Sequence, residues 1–339
     1  MNTIMIGLDL AKNVFQVHGT DAAGKVFRRQ LRRGQVERYV AALPAAAVVG
    51  MEACAGAHYW ARTLQRLGHE VRMMSPAYVK PYVKRNKTDG RDAEAIWEAM
   101  QRPTMRFVTI RDEESQAIGV LHRTRELLVR QRTMTANALR AAFAEFGIVA
   151  PQGIEGLRRL IGSLAAADGP LPSVAREALL VLSSQWKELD GNIRALQARI
   201  ERAAKQDEKS RRLMEVPCVG PIVASAVLAK VADPHVFRTA RGFSAWLGFN
   251  PRQRGTGGKQ RSGRISKQGD RSIRALLIIG ASAYLRQAKR RGVKDPWLAG
   301  LLTRRPYKVV MVALAAKTAR IIWALLVKGE QYRAPALAA

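Results

Sequence analysis

The sequence predicts an α/β unit over residues 1–110, a long α-helical coiled-coil linker over 111–209 and a mostly α-helical domain over 210–330. Three observations carry that division. Up to about residue 107, short apolar runs alternate with turns and helical stretches. Leu179, Leu182, Trp186, Leu189, Ile193, Leu196, Ile200 and Ala203 then step by three and four, as a coiled-coil seam does. From about Ser210, a glycine-containing turn leads into a basic stretch and two apolar helices.

Composition sets the outer bounds. With 339 residues, 47% of them hydrophobic, the chain can bury a sizeable core. Its 57 Lys and Arg against 27 Asp and Glu leave a net charge of +30. An excess of that size, spread along the chain, points to a polyanionic partner, and nucleic acid is the commonest. Cys54 and Cys218 show no CxxC spacing, which argues against a zinc ribbon or a disulfide framework. No signal-peptide layout precedes the first apolar run. The apolar stretch Val309 to Val327 carries Lys317 and Arg320 near its middle, a poor pattern for a spanning helix. The expectation is a cytoplasmic protein with no membrane partner.

In chain order, Ile4 to Leu10 and Val14 to Gly19 read as paired strands, with the turn Asp21 to Gly24 before a third, Lys25 to Leu31. A helix at Gln35 to Ala42 leads to the apolar run Ala45 to Met51, then Glu52 and a small-residue loop. His58 to Leu67 is helical, Glu70 to Met74 a short strand, and Ser75-Pro76 a break. The segment Lys80 to Lys87 sets Tyr78 and Tyr82 among Lys80, Lys84, Arg85 and Lys87. It fits either a phosphate-gripping segment or a solvated loop. Asp112 to Gly147 reads as one long helix studded with arginines, and a Gly/Pro-rich connection separates it from the heptad helix. Whether that seam meets a helix of its own chain or of another subunit stays open.

Four acids demand chemistry. Asp89 and Asp92 lie three apart at a helix start, where Thr88 is a plausible N-cap, so they share a face. Acids in a first turn also suit the helix dipole, which is an ordinary structural reason for them. Asp9 lies inside the apolar strand run Ile4 to Leu10, where an uncompensated carboxylate is costly, and Glu52 comes just after another, Ala45 to Met51. Convergent carboxylates repel unless a hard cation neutralises them, and oxygen ligands suit Mg2+ or Mn2+. Inside so basic a chain, that suggests phosphodiester chemistry.

The last third offers two candidate nucleic-acid elements. Glu215-Val216-Pro217-Cys218-Val219-Gly220-Pro221, followed by Ile222 to Val231, has the form of a helix-hairpin-helix turn. Its amides around Gly220 can meet a phosphate, although Cys218 stands where a glycine is usual and a plain structural helix pair fits as well. From Asn250 to Arg274, Arg252, Arg254, Lys259, Arg261, Arg264, Lys267, Arg271 and Arg274 surround Thr256-Gly257-Gly258 and supply sequence-independent affinity.

Taken together, Gly7-Leu8-Asp9-Leu10-Ala11-Lys12, Met51-Glu52-Ala53, Lys87-Thr88-Asp89-Gly90-Arg91-Asp92-Ala93, Val216 to Pro221, and Gly257-Gly258-Lys259 with Gly263 to Asp270 resemble the Piv-type DEDD transposases and invertases of bacterial insertion sequences. The resemblance spans nearly the whole chain. It implies an RNase H-like (RuvC-like) N-terminal domain, a coiled-coil linker and a C-terminal transposase domain. It implies a magnesium-dependent recombinase of DNA that acts as a homo-oligomer, dimer or tetramer, guided by a structured RNA of the element. Asp9, Glu52, Asp89 and Asp92 would form the acidic tetrad. The family's nucleophilic serine precedes the Gly-Gly pair in a Ser-Ser or Ser-Thr context; here Gly255-Thr256 stands there, leaving Thr256 as the hydroxyl, with Ser262 and Ser266 further on. A hydrolytic RuvC-like nuclease and a non-catalytic nucleic-acid scaffold are the alternatives.

Overall fold

The computed structural model describes residues 4–21, 23–44, 47–84, 89–165 and 170–334, with the backbone alone at Thr256. The chain divides into two compact units, Met1–Glu114 and Ser115–Ala339.

The first unit is built on a five-stranded mixed sheet of order β3-β2-β1-β4-β5. Its strands are β1 (Met5–Asp9), β2 (Val14–Thr20), β3 (Val26–Arg32), β4 (Val48–Glu52) and β5 (Glu70–Met74). The pairs β1–β2 and β2–β3 are antiparallel, whereas β4 runs parallel to both β1 and β5. Alternation along β1 and β4 sends Ile6, Leu8, Val49 and Met51 to one face, where they pack with helices α1 (Val36–Ala41) and α2 (Ala57–Arg66) through Val36, Val40, Trp60 and Leu64. The opposite face lies against α3 (Pro76–Val79) and α4 (Asp89–Ala99), whose Ala95, Ile96 and Ala99 join Val48, Met74 and Val79 in a second cluster.

The second unit opens on α5 (Glu113–Ala144), continues through α6 (Ile154–Ser163), and returns along α7 (Ser173–Gln206). Arg125 bonds Gln197 at 3.3 Å and Arg132 bonds Asp190 at 2.6 Å. Advancing one heptad on α5 retreats one heptad on α7, so the two helices are antiparallel partners within one chain. Their apolar contacts gather where Leu139 and Phe143 meet Leu157, Leu160, Leu179 and Trp186. The expected seam needs one adjustment: Leu182 and Leu196 are half-buried and Ala203 is exposed, while Ser183, Asp190 and Ala204 are buried. Past the end of α7 the chain turns into α8 (Glu208–Met214), which packs back against α7.

The remaining helices enclose a separate core. They are α9 (Pro221–Lys230), α10 (Ala240–Trp246), α11 (Arg271–Arg291), α12 (Pro296–Arg304) and α13 (Tyr307–Lys328). Val223, Val227, Phe243, Leu277, Ala281, Leu314 and Ile322 are buried together there. Among the described residues, α13 is the one helix long and apolar enough to cross a membrane. Here Val310, Leu314, Ala315, Ala319 and Ile322 are core residues of the unit.

The turn between α8 and α9 explains its own sequence. Cys218 adopts φ 74°, a left-handed conformation that a glycine would take more easily. Its carbonyl lies where a Cβ on Gly280 of α11 would sit, 2.1 Å away, so the turn is seated directly on α11. Burial pushes the Cys218 thiol up to about 11.

Within the domain expected to be mostly α-helical, the basic stretch forms a two-stranded ribbon, β6 (Pro251–Thr256) and β7 (Lys259–Ile265), turning at Gly257 and Gly258 with φ 56° and 79°. Two adjacent residues at positive φ are what a tight hairpin requires, and Gly-Gly supplies them. Below the ribbon, Lys267 and Gly269 also take positive φ, and Asp270 caps α11 by accepting from the Ile273 amide at 2.8 Å.

Candidate active site

The acids of the first unit are positioned by strand register. Leu8 stands opposite Met51 in the parallel β1–β4 pair, so the next residues, Asp9 and Glu52, close neighbouring strands at the same end of the sheet. Period-two alternation places them on the same face as Gly7 and Gly50. That face belongs to α4: a Cβ on Gly7 would lie 2.3 Å from the Ala93 carbonyl oxygen, and one on Gly50 2.4 Å from the Met100 sulfur. A glycine inside a strand marks such a close approach. Gly7 and Gly50 thus let α4 close on the sheet, a packing feature for which glycine two residues before each acid was the available signal.

Asp89 and Asp92 occupy the first turn of α4, Asp89 exposed and Asp92 half-buried. Asp9 and Glu52 are half-buried as well. The expectation of a carboxylate deep in an apolar strand is therefore moderated: Asp9 is the last residue of β1, where the sheet meets solvent. Cys54 reports on the local field. Burial raises its thiol above the usual range, and the carboxylates of Glu52 and Asp9 raise it further, so both charges act on one point just past β4. Among the described residues, no three His, Cys, Asp or Glu side chains stand close enough to share an ion. The donor chemistry nonetheless fits a hard cation, since the acids at this end of the sheet offer carboxylate oxygens, the ligands that magnesium and manganese take.

The cationic candidates separate into distinct groups. Lys84 is exposed and ion-paired with Glu94 at 2.5 Å, and Glu94 also holds Arg28 at 3.0 Å. The hydrogen bond and charge of Glu94 raise Lys84's pKa. Arg85 and Lys87, with Thr88, lie outside the described residues. Lys259, Arg261 and Arg264 are exposed along β7, and Lys267 and Arg271 are exposed below it. Gly220 is the half-buried N-cap of α9, with an extended backbone.

Arg274 is a correction. It is 8% exposed, and its Nη1 donates to the carbonyls of Leu247 at 2.8 Å and Gln268 at 2.9 Å. Its guanidinium ties the root of the ribbon to α10 and is withdrawn from any external phosphate. Nothing in the local sequence distinguishes it from its neighbours except its place on the core-facing stripe of α11.

A mixed α/β sheet with two acids closing neighbouring strands, in a chain of net charge +30, fits the class of proteins that act on nucleic acid. Comparison with known proteins narrows this. A DEDD transposase profile of the IS110 type matches residues 6–148, and the profile described as Transposase IS116/IS110/IS902 family matches residues 210–295. A probable family 20 transposase of Pseudomonas aeruginosa is 48% identical, covering 98% of this chain and 99% of the relative. The transposase for insertion sequence element IS1111A of Coxiella burnetii is 40% identical over 97% of this chain and 91% of its own length. That for IS1328 of Yersinia enterocolitica is 39% identical over 98% and 99%. The chain belongs to the IS116/IS110/IS902 family of transposases. It is accordingly an enzyme that binds, cleaves and transfers DNA strands.

Proposed function

We propose that this transposase works through an RNase H-like (RuvC-like) catalytic domain over residues 1–110, a coiled-coil linker over 111–209 and a strand-joining domain over 210–330. The observation that carries the reading is the register of β1 and β4, which sets Asp9 beside Glu52 on the face covered by α4. The order and mixed direction of the sheet are compatible with that domain type. Asp9, Glu52, Asp89 and Asp92 would hold a divalent cation, magnesium or manganese. When bound, it supplies charge stabilisation for the phosphate under attack.

Thr256 is the proposed nucleophile. Its oxygen forms a bond to phosphorus as the bond from phosphorus to the leaving DNA oxygen breaks, and the threonine ester conserves the energy for rejoining. Lys84, Arg85, Lys87, Lys259, Arg261, Arg264, Lys267 and Arg271, with the amides near Gly220 in a helix-hairpin-helix turn, would hold the DNA and a structured guide RNA. The enzyme would act in the cytoplasm as a homo-oligomer, dimer or tetramer. The hydroxyl and the acids belong to different units of the chain. Cleavage would therefore await assembly on nucleic acid.

A second reading is a metal-dependent hydrolytic nuclease, favoured by Gly255 in the place of the family's serine. One experiment separates the two. A nicked suicide substrate is incubated with magnesium and wild type, Asp92→Asn, Thr256→Ala or Gly255→Ser, and denaturation-resistant protein–DNA species are measured. The expected result is an adduct in wild type that is lost in Asp92→Asn and Thr256→Ala. An adduct surviving Thr256→Ala moves the role, with Ser262 next in line. Cleavage without adduct supports hydrolysis, and undiminished cleavage by Asp92→Asn removes the acidic site. Gly255→Ser is a fair test because Gly255 is not at positive φ and a Cβ there meets nothing nearer than 3.5 Å.

A further inference from the structure

The ribbon β6–β7 is oddly built for a structural element. No side chain from Arg252 to Arg264 is apolar. Every described side chain in that span is exposed, so neither face of the ribbon is covered. A two-stranded ribbon without a packed face is marginal in water. This one also sets Arg254 directly opposite Arg261, and like charges in cross-strand pairs destabilise. An anion brought between the strands' side chains would relieve that repulsion.

The register divides the ribbon into two chemically distinct faces. Arg254 and Arg261 share one, joined by alternation with Arg252 and Lys259. Gln253 and Ser262 share the other, with Gln260 opposite Gly255. One face is cationic; the second offers amides and a hydroxyl that both donate and accept. At the centre of that second face Gly255 is a glycine the backbone does not require, which leaves it open to close approach. The root, by contrast, is rigid. Arg274 clasps two carbonyls there, and a Cβ on Gly269 would lie 1.7 Å from the Trp246 carbonyl oxygen.

We propose that the β6–β7 ribbon enters the major groove of duplex DNA, its Gln253–Gln260–Ser262 face toward base edges and its arginine face toward the flanking phosphates. The inference deepens the DNA-acting reading above and rests on it. A two-stranded ribbon fits the B-form major groove, about 12 Å wide, whereas the A-form RNA major groove is too deep and narrow for side chains to read. The strands, at about 3.3 Å per residue, run roughly 20 Å and so follow about six base pairs. Glutamine matches the paired donor and acceptor of adenine in that groove. The absence of apolar side chains disfavours a protein partner, whose interface core is depleted of charge.

The test is site-directed disulfide trapping with the full chain. Gln260→Cys is made in a Cys54→Ser background; Cys218 is half-buried with its thiol held protonated, and so reacts poorly. The probe is a mixed-sequence duplex of about 24 base pairs, long enough for the footprint above. It carries an activated thiol tether on cytosine N4, in the major groove, or on guanine N2, in the minor groove. Binding is followed in parallel by fluorescence anisotropy. The expected result is trapping several times faster with the major-groove tether, and slower trapping of Arg254→Cys on the opposite face. Arg254→Ala and Arg261→Ala should each lower the salt slope of binding by about one. Duplex binding with equal trapping by both tethers, or faster trapping on the unpaired strand or on duplex RNA, overturns the groove assignment alone. No duplex binding at all overturns it together with the DNA-acting reading.

Discussion

His122 shows how a single residue can carry a pH dependence unrelated to the acids. It lies on α5 with a ring nitrogen 3.0 Å from the Ser225 hydroxyl on α9. Burial, then the charges of Arg125 and Lys230, hold its pKa down at about 4. The folded chain thus keeps His122 neutral where the unfolded chain protonates it near 6.5. The stability it contributes is complete above pH 6.5 and is lost as pH falls from 6.5 through about 4. Allowing for its partial exposure, the loss should be on the order of 2 kcal/mol. Urea unfolding of wild type and His122→Gln at pH 7, 5.5 and 4.5 checks this: the variant should lose less stability across that window, and parallel pH profiles would refute it. Asp190 is the complementary case. Burial pushes its carboxyl up, but hydrogen bonds from Arg194 and Arg132 outweigh that and leave the pKa lowered. Buried between α5 and α7, one residue past Leu189 of the apolar seam, it ties the two helices by charge.

At the scale of elements, the first unit turns on how closely α4 approaches the sheet. Gly7→Ala places a Cβ 2.3 Å from the Ala93 oxygen and 2.6 Å from the Trp97 nitrogen, both backbone atoms that cannot swing aside. The helix must shift, and overpacking of this kind costs about 1–3 kcal/mol. Because Asp89 and Asp92 ride on the same helix, the variant should lose strand cleavage with all four acids intact, while still binding duplex DNA. Melting temperature, cleavage and anisotropy on one preparation test this. Full cleavage by a folded Gly7→Ala protein would mean that the placement of α4 does not matter to the chemistry. Gly255 makes the contrast, since substitution there meets no clash and changes only what the ribbon presents.

For the whole molecule the dominant quantity is charge. A net +30 means that association with DNA should be driven largely by counterion release. Affinity for a mixed-sequence duplex is expected to fall by about 10³ or more between 50 and 200 mM salt, as for proteins making six or more phosphate contacts. A titration across that range is the measurement, and a nearly flat response would remove the polyanion reading. Arg274 shows why summed charge overstates the surface, for its guanidinium is internal and holds the ribbon root.

Much was legible in the chain because it depends on neighbours in sequence. Alternation and turn residues marked the strands of the first unit, and an acid inside one apolar run and another just after the next drew notice to Asp9 and Glu52. The three-four spacing marked α7, and Gly257-Gly258 supplied a turn whose strands went unrecognised because their side chains are polar throughout. Tertiary structure alone decided the rest. The partner of α7 proved to be α5 of the same chain, a contact between residues 58 apart at Arg132 and Asp190 that periodicity on one helix cannot name. The burial of Arg274 and the approach of α4 over Gly7 and Gly50 likewise depend on what arrives from distant segments. Local propensity acts over a few residues, whereas burial, register and close packing are set by surfaces that meet only after the chain has folded.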